Sequence, residues 1–506
     1  MNQDWNTVEI KLADKSSEKI QAAHHLAIAD FSSRMILMEL LADRAKAKEV
    51  LADELKKLKK DEESTEPKKI SIGFEGKGGL TALLLAGDAS AYVKQTALRK
   101  NFLSALTTGP DAKEVAVSLR GLKDRDAAEF LNWIVSLAMI GRYRSPVFGK
   151  KAGEQKPLGK LTVRIDTGLP KKEAEAIIEE ARILGFANNQ VRHLAELPSN
   201  ILHPGTYRER AEQLARELKV RCRFIGKKEL QKMGAGAFLA VAQGDHHDRA
   251  GIVHLHYSPA KKASRKSVAL VGKGLCFDTG GYNVKTGDFM HGMHGDMTGS
   301  AVTLSLFQVL VQLKAPFEVH AYLALAENLI SPDAYRPNDV VVASNGVSIE
   351  VENTDAEGRM VLSDTLVLAS GTKPDLILDF ATLTGSVIRS LDTRRAGAFS
   401  NDLELSGRAV TVGNRTGERV WNFPINEDYS EYVRSEYADV RQCSTKKVAD
   451  HIYAATFLSR FVGKGTPWVH IDLACADNPG GLGLVPTETT GFGVRFGLEF
   501  IREVLG

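Results

Sequence analysis

"NTDAEGRMVLSDTL", residues 353–366, sets two carboxylates, Asp355 and Glu357, and a cation, Arg359, at alternate positions beside Gly358, where an apolar helical pattern begins. Read as an extended segment giving way to a helix, it puts Asp355 and Glu357 on one side of the backbone, because successive side chains of an extended chain point to opposite faces. Two carboxylates on one side repel unless a cation lies between them.

Working outward, strand and helix patterns alternate around this stretch. "SVALVGKG" (267–274) reads as strand and loop, "GSAVTLSLFQVLVQLKA" (299–315) as helix and "FEVHAYLALAE" (317–327) as strand. "DVVVASNGVSIEV" (339–351) reads as a hairpin turning at Asn345-Gly346, "GRMVLSDTLVLAS" (358–370) as helix and "DLILDFATLTG" (375–385) as strand. Such alternation predicts a layered α/β domain on a mixed, largely parallel sheet, whose sites collect at the carboxyl ends of strands.

A chain of 506 residues is too long for one ordinary core, so two or more domains are expected. "KKEAEAIIEEARILGFANNQVRHLAEL" (171–197) has helical periodicity between Gly168-Leu169-Pro170 and "PSNILHPGTY", as a connector between domains would. The expected organisation is therefore a first domain over 1–165, a connector over 166–197 and a second domain over 198–506. Within the first, "MILMELLADRAKAKEVLADELKKLKK" (35–60) has helical spacing and "DEESTEPKK" (61–69) reads as a solvated loop. "GFEGKGGLT" (73–81) lacks the GxxxxGK[ST] order of a phosphate-cradling loop and reads as a turn.

Lys and Arg number 66 against 63 Asp and Glu, a formal charge of +3, so nothing global points to nucleic acid or an anionic membrane. The four cysteines, Cys222, Cys276, Cys443 and Cys475, form no CxxC pair, which fits a reducing compartment better than a disulfide scaffold. The opening "MNQDWNTVEIKLADKSSEKI" has neither the apolar run of a secretory signal nor an Arg-rich presequence pattern. "LNWIVSLAMI" (131–140) is about half of a membrane-spanning length. These features predict a soluble, cytoplasmic protein.

The second suspicious stretch is "VGKGLCFDTGGYNVKTGDFMHGMHGDMTGSA" (271–301), which carries Lys273, Asp278, Lys285 and Asp296 among many glycines. With Asp355 and Glu357 it makes four acids and two lysines in two glycine-bearing loops, each leaving an apolar strand. Salt bridges alone are one arrangement. A buried network of this composition is electrostatically poor without added cations, however. Oxygen ligands suit Mg, Mn or Zn, and shared carboxylates suit a pair of dications about 3.5 to 4 Å apart. A lysine ligates only as the neutral amine, whereas a protonated one stabilises an oxyanion. Spacing does not say which lysine does which.

"VGKGLCFDTGGYNVK", the "DM" of "HGDMTGSA", "NTDAEGRMVLSDTL" and "DFATLTG" resemble the signature segments of the leucyl aminopeptidase (cytosol aminopeptidase) family of two-metal exopeptidases. The likeness runs from about Leu197 to the end, through "LPSNILHPGTY", "MGAGAFLAVAQG", "VWNFPINEDY", "HIYAATFLSRFV", "WVHIDLA" and "TTGFGVRF". Residues before about 165 show none, as the family's variable N-terminal α/β domain would. The resemblance implies two domains, each a sheet flanked by helices. It implies two divalent ions per subunit (Mn, Zn or Mg), one on Lys273, Asp278, Asp296 and Glu357 and one on Asp278, Asp355 and Glu357. Lys285 would face the scissile carbonyl, and Arg359 beside it would hold a bicarbonate acting as general base. The backbone around Thr382, Leu383 and Gly385, with Met293, would line the substrate cleft. Peptide substrates, release of single N-terminal residues and a homohexamer are implied as well.

The chain departs from the family pattern at some positions. His294 stands where a basic residue is usual, with His291 one turn before; both read as loop or pocket-rim residues, with extra metal ligands as the alternative. Glu488 and Thr489 make the expected first-residue pocket more polar, which argues against strict leucine preference. Arg389, Arg394 and Arg395 read as solvated charges in preference to a seat for an acidic peptide, and Cys276 as a small buried residue rather than a nucleophile. Rival readings are a two-metal phosphoesterase and a scaffold or binding protein that keeps the fold. The first lacks an added basic phosphate site; against the second, all seven implied metal and catalytic positions are intact.

Overall fold

A computed structural model describes residues 7–13, 24–30, 37, 40, 45–58, 68–73, 79–85, 89–107, 114–155, 158–260, 265–446 and 448–506. They divide into two compact units, one of 1–189 with 480–487, the other of 190–479 with 488–506. The division falls inside the helix Lys171–Ala195, which the breakers at either end delimit much as its sequence predicts.

The first unit holds a six-stranded sheet in the spatial order Val8–Leu12, Leu161–Thr167, Glu114–Arg120, His24–Asp30, Gly79–Leu85, Lys68–Gly73. All neighbours run parallel except the last pair. "LNWIVSLAMI" lies in the helix Asp124–Ile140, whose Phe130, Leu131, Ile134 and Leu137 join strand residues Val117 and Val163 in the core. Most of "DEESTEPKK" and the middle of "GFEGKGGLT" fall outside the described residues. No described helix is long and apolar enough to cross a membrane.

The second unit is built on an eight-stranded sheet in the order Val420–Asn422, Ala396–Ser400, Trp468–Asp472, Leu376–Ala381, Ser267–Asp278, Glu318–Asn328, Gly251–Tyr257, Arg221–Gly226. The four central strands, from Trp468–Asp472 to Glu318–Asn328, are mutually parallel. The strands that adjoin this block, Ala396–Ser400 on one side and Gly251–Tyr257 on the other, run antiparallel to it. Central strands buried on both faces read as continuous apolar runs. Ala269, Val271 and Leu275 pack with Met360, Val361 and Leu366 of the helix Glu357–Ser370. On the alternate face Gly272 backs onto Ser300 and Thr303 of the helix Thr298–Gln312, where a Cβ would lie 2.5 Å from the Ser300 Cα.

Two local expectations change. "SVALVGKG" does not break into a loop at its glycines: the strand runs on through Lys273 to Asp278, paired with Glu318–Asn328 nearly throughout. Gly272 and Gly274 are there for close packing, not to turn the chain. Asn353–Ala356 is a turn, not an extended segment, because the Asn353 carbonyl accepts from the Ala356 N–H and its side-chain oxygen from the Asp355 N–H. The hairpin pairs Val340–Val342 with Ser348–Glu350, and Gly346 at its turn has φ +87°.

Toward the Arg221–Gly226 edge, alternation brings His254, His256, His320 and Tyr322 to one face, with rings stacked 4.2 to 6.4 Å apart. Burial, the neighbouring rings and Arg221 and Arg223 push His254 down to about 3. Burial, His256 and Arg221 push His320 down to about 4, against the pull of Glu318. Both rings are neutral when folded and take up protons below about pH 6.5 when unfolded. Their share of stability is whole above about pH 6.5 and is lost as pH falls toward about 4 and then about 3. We expect the urea midpoint to drop between about pH 7 and about pH 5. His254→Gln with His320→Gln should shrink that drop, and an undiminished drop in the double variant would contradict the assignment.

Candidate metal centre

The carboxyl ends of the four central strands carry the site. Asp278, Asn328 and Asp472 are the last residues of three of them, and Thr382 follows the fourth. Asp296 sits just before the helix Thr298–Gln312, and Glu357 is the first residue of the helix Glu357–Ser370.

Thr354, which sequence reasoning passed over, joins the two loops. Its hydroxyl donates to the Gly280 carbonyl at 2.7 Å and accepts from the Asn283 N–H at 2.9 Å, while its own N–H reaches the Asn283 side-chain oxygen at 2.9 Å. Asn328 Nδ2 donates to Asp278 Oδ1 at 2.8 Å and to the Thr354 carbonyl at 3.0 Å, which also accepts from Tyr335 at 2.8 Å. Gly281, at φ +63°, lets the first loop press against Thr354, whose Oγ1 a Cβ would meet at 2.9 Å.

The acids and lysines then interleave. Lys273 Nζ lies 2.8 Å from Asp296 Oδ2 and 2.9 Å from Glu357 Oε1; Lys285 Nζ lies 2.9 Å from Asp278 Oδ2 and 2.5 Å from Asp355 Oδ1. Burial, opposed by the lysines, pushes Asp296 up to about 8 and Asp278 up to about 6. Burial and Glu357 raise Asp355 as well. Burial also opposes the charge on Glu357, but Lys273 and Lys285 outweigh it and hold that carboxyl below its usual range. Both lysines lose stability by burial and regain more from the surrounding acids, so their ammonium groups titrate above the usual lysine range.

Gly358 has a steric reason in this cluster. A Cβ there would stand 2.6 Å from Lys273 Cε and 2.7 Å from its Nζ. Gly358→Ala should push that amine out of line, and a displacement near 1 Å can cost about 10²-fold in rate. Turnover and divalent-ion affinity should fall together; unchanged values for both would show that Lys273 has no positional role.

The donor set fits divalent cations. Oxygens of Asp278, Asp355 and Glu357 lie within 4.8 Å of one another, and Glu357 Oε2 is buried without a hydrogen-bond partner. Four carboxylates against two ammonium groups leave negative charge uncompensated, and the carboxylate oxygens suit hard ions. His256, Glu318 and His320 also lie close enough to share an ion, but Arg221, opposite His256 on the neighbouring strand, repels one.

Around the cluster, Thr382 is tied in twice: its carbonyl accepts from Lys273 Nζ at 2.8 Å and its hydroxyl donates to Asp296 Oδ1 at 2.8 Å. Leu383 and Thr384 donate their N–H groups to Asp472, at 3.1 and 3.3 Å, which braces the loop leading to Gly385. Met293 opens the 3-10 turn Met293–Gly295 that leads to Asp296, and is half-buried. His291 and His294 are in neither ligand group among the described residues; burial pushes His294 down, and Asp477 and Glu196 are among its charged neighbours. Cys276 is fully buried, with its thiol raised well above the usual range by burial.

Arg359 is held by groups of the chain itself. Its Nη2 donates to Asp450 Oδ2 at 2.7 Å and its Nη1 to the Gln442 carbonyl at 3.2 Å. Both ends of the guanidinium fork thus hold acceptors, and its charge already has a carboxylate beside it. A bicarbonate on Arg359 does not fit this arrangement, since it would set a second anion against Asp450. Neither Gln442 nor Asp450 carried a sequence signal, because both lie in the irregular stretch "RQCSTKKVAD".

The family described as "Cytosol aminopeptidase family, catalytic domain" matches residues 189–497. A "Probable cytosol aminopeptidase" of Persephonella marina is 39% identical over 363 residues, covering 72% of this chain and 72% of that protein. One of Brucella melitensis is 38% identical over 446 residues and 86% of each chain. In fold, the chain is similar to a leucyl aminopeptidase of Leishmania major solved in complex with actinonin, with a TM-score of 0.80 and 24% identity over 98% of this chain and 94% of the other.

Proposed function

The chain belongs to the cytosol aminopeptidase family and is a peptidase hydrolase, and from that premise we propose that it removes single residues from the amino ends of peptides in a metal-dependent reaction at the strand-end cluster. The observation that carries this reading is the convergence of Asp278, Asp355 and Glu357 from two separate loops. Lys273, Asp278, Asp296 and Glu357 would hold one ion, and Asp278, Asp355 and Glu357 the other. Two divalent ions bound there would supply Lewis acidity that lowers the pKa of a water and polarises the scissile carbonyl.

The chain's own groups do the rest. Lys273 gives up a proton on joining a ligand set. Lys285 stays an ammonium, held by Asp278 and Asp355, and stabilises negative charge growing on the carbonyl oxygen. The 382–385 loop, fixed from behind by Lys273 and Asp472, offers its backbone to the substrate, whose cleft Met293 also lines. Bicarbonate has no seat on Arg359 as general base, because Asp450 already engages that guanidinium. The portion from 198 to 506 carries the activity, with Mn, Zn or Mg as its ions, in a cytoplasmic homohexamer.

Assays on aminoacyl amides with and without a chelator test this. Chelator-sensitive release of a free amino acid supports it. Phosphoester cleavage without amide cleavage, or inertness of the metal-loaded protein, would refute it in favour of a phosphoesterase or a scaffold.

A further inference from the structure

We propose that Asp450 is the permanent occupant of the anion seat at Arg359, and that this carboxylate carries the proton a bicarbonate would otherwise carry, so that hydrolysis needs no exogenous anion. The inference rests on the peptide hydrolysis proposed above.

Arg359 is only 2% exposed, and a buried guanidinium must be paired. The chain supplies its partner from the first turn of the helix Asp450–Leu458, where a carboxylate is favoured by the helix dipole. Nη1 and Nη2 both hold acceptors and only Nε–H, buried, lacks one. A second oxyanion would find one free N–H and a carboxylate in its way. A tethered carboxylate also outcompetes a dissolved one, being always present at high effective concentration.

Through its neighbours Asp450 is linked to two parts of the site. On one side, the Gln442 carbonyl accepts from Arg359. The Gln442 side chain in turn accepts from the Glu352 and Asn353 N–H groups and donates to the Ala356 carbonyl, so it braces the turn that carries Asp355. On the other side, His451, next in sequence, bonds Ser386 through its ring at 2.9 Å and its N–H at 2.8 Å, beside Thr384 and Gly385 of the substrate loop. Unlike Arg359, the Asp450 side chain is 30% exposed, so its carboxylate is open to water.

In the proposed step, an O–H bond of the attacking water breaks as its oxygen bonds to the carbonyl carbon, and the proton passes to an Asp450 oxygen. Asp450 then gives that proton to the amide nitrogen as the C–N bond breaks, and is a carboxylate again. One water is consumed, and one amine and one carboxylic acid form.

The test uses full-length, metal-loaded protein in carbon-dioxide-free buffer, with and without added bicarbonate, on an aminoacyl amide. Wild-type turnover should be unchanged by bicarbonate. Asp450→Asn, which can still accept from Arg359 but cannot carry a proton, should lose about 10²-fold or more in kcat, the usual worth of a positioned acid–base group. Asp450→Ala opens the seat, and bicarbonate should restore part of its rate. Line broadening of 13C-bicarbonate, which needs no activity, should show binding to Asp450→Ala and none to wild type. A bicarbonate-dependent wild type, bicarbonate binding to it, or full turnover by Asp450→Asn would each overturn the proposal. A wild type that is inert in every buffer yet excludes bicarbonate would overturn the peptidase reading and leave the occupied seat standing.

Discussion

Asp355→Ala is expected to lower aminopeptidase turnover by about 10³-fold or more, because Lewis-acid assistance is worth several kcal/mol and each 1.4 kcal/mol is tenfold in rate. The variant should nevertheless fold. The Asp355 side chain is 31% exposed, and its removal leaves Lys285 still paired with Asp278 at 2.9 Å. Glu357 is a poorer choice for this purpose, since it is 2% exposed and its loss would strip a buried ammonium, Lys273, of one of its two carboxylate partners. Divalent-ion stoichiometry, measured beside kcat, should fall from two to one in Asp355→Ala. Retained turnover with two ions bound would contradict the role given to that carboxylate.

Lys285→Met should lower kcat by about 10²- to 10³-fold, the range found when one preorganised oxyanion donor is removed. It removes an ammonium that Asp278 and Asp355 hold in place, while adding no bulk. Ion binding should not weaken, because the lysine competes with cations for the same two carboxylates. Without ions the variant should be less stable than wild type, since Asp278 and Asp355 then face one another with less compensation. A Lys285→Met protein that keeps kcat but loses its ions would mean that Lys285 shapes the metal site and does not touch the carbonyl.

The strand and helix alternation was legible because buried parallel strands and their covering helices need long apolar runs, as in "FEVHAYLALAE" and "GSAVTLSLFQVLVQLKA". The clustering of Lys273, Asp278, Lys285, Asp296, Asp355 and Glu357 was legible too, since charges at glycine-rich strand ends have few other uses. What failed was local geometry. Gly272 and Gly274 looked like loop punctuation, but their lack of a side chain serves helix and strand packing on Ser300, Thr303 and Leu325. Asp355 and Glu357 looked like neighbours on one strand face, but an Asn353 side-chain turn and a helix start bring them together. Thr354, Gln442 and Asp450 were missed because their roles depend on contacts with residues 71 to 91 positions away. No periodicity encodes such contacts.

The most direct measurement is anomalous scattering from crystals soaked in manganese or zinc, collected at the absorption edge of the metal used. Two peaks should appear within the cage of Asp278, Asp296, Asp355 and Glu357, with Lys273 at one and Lys285 beside the pair. Loops that keep their lysine–carboxylate pairs under saturating metal, with no peak between them, would contradict the account.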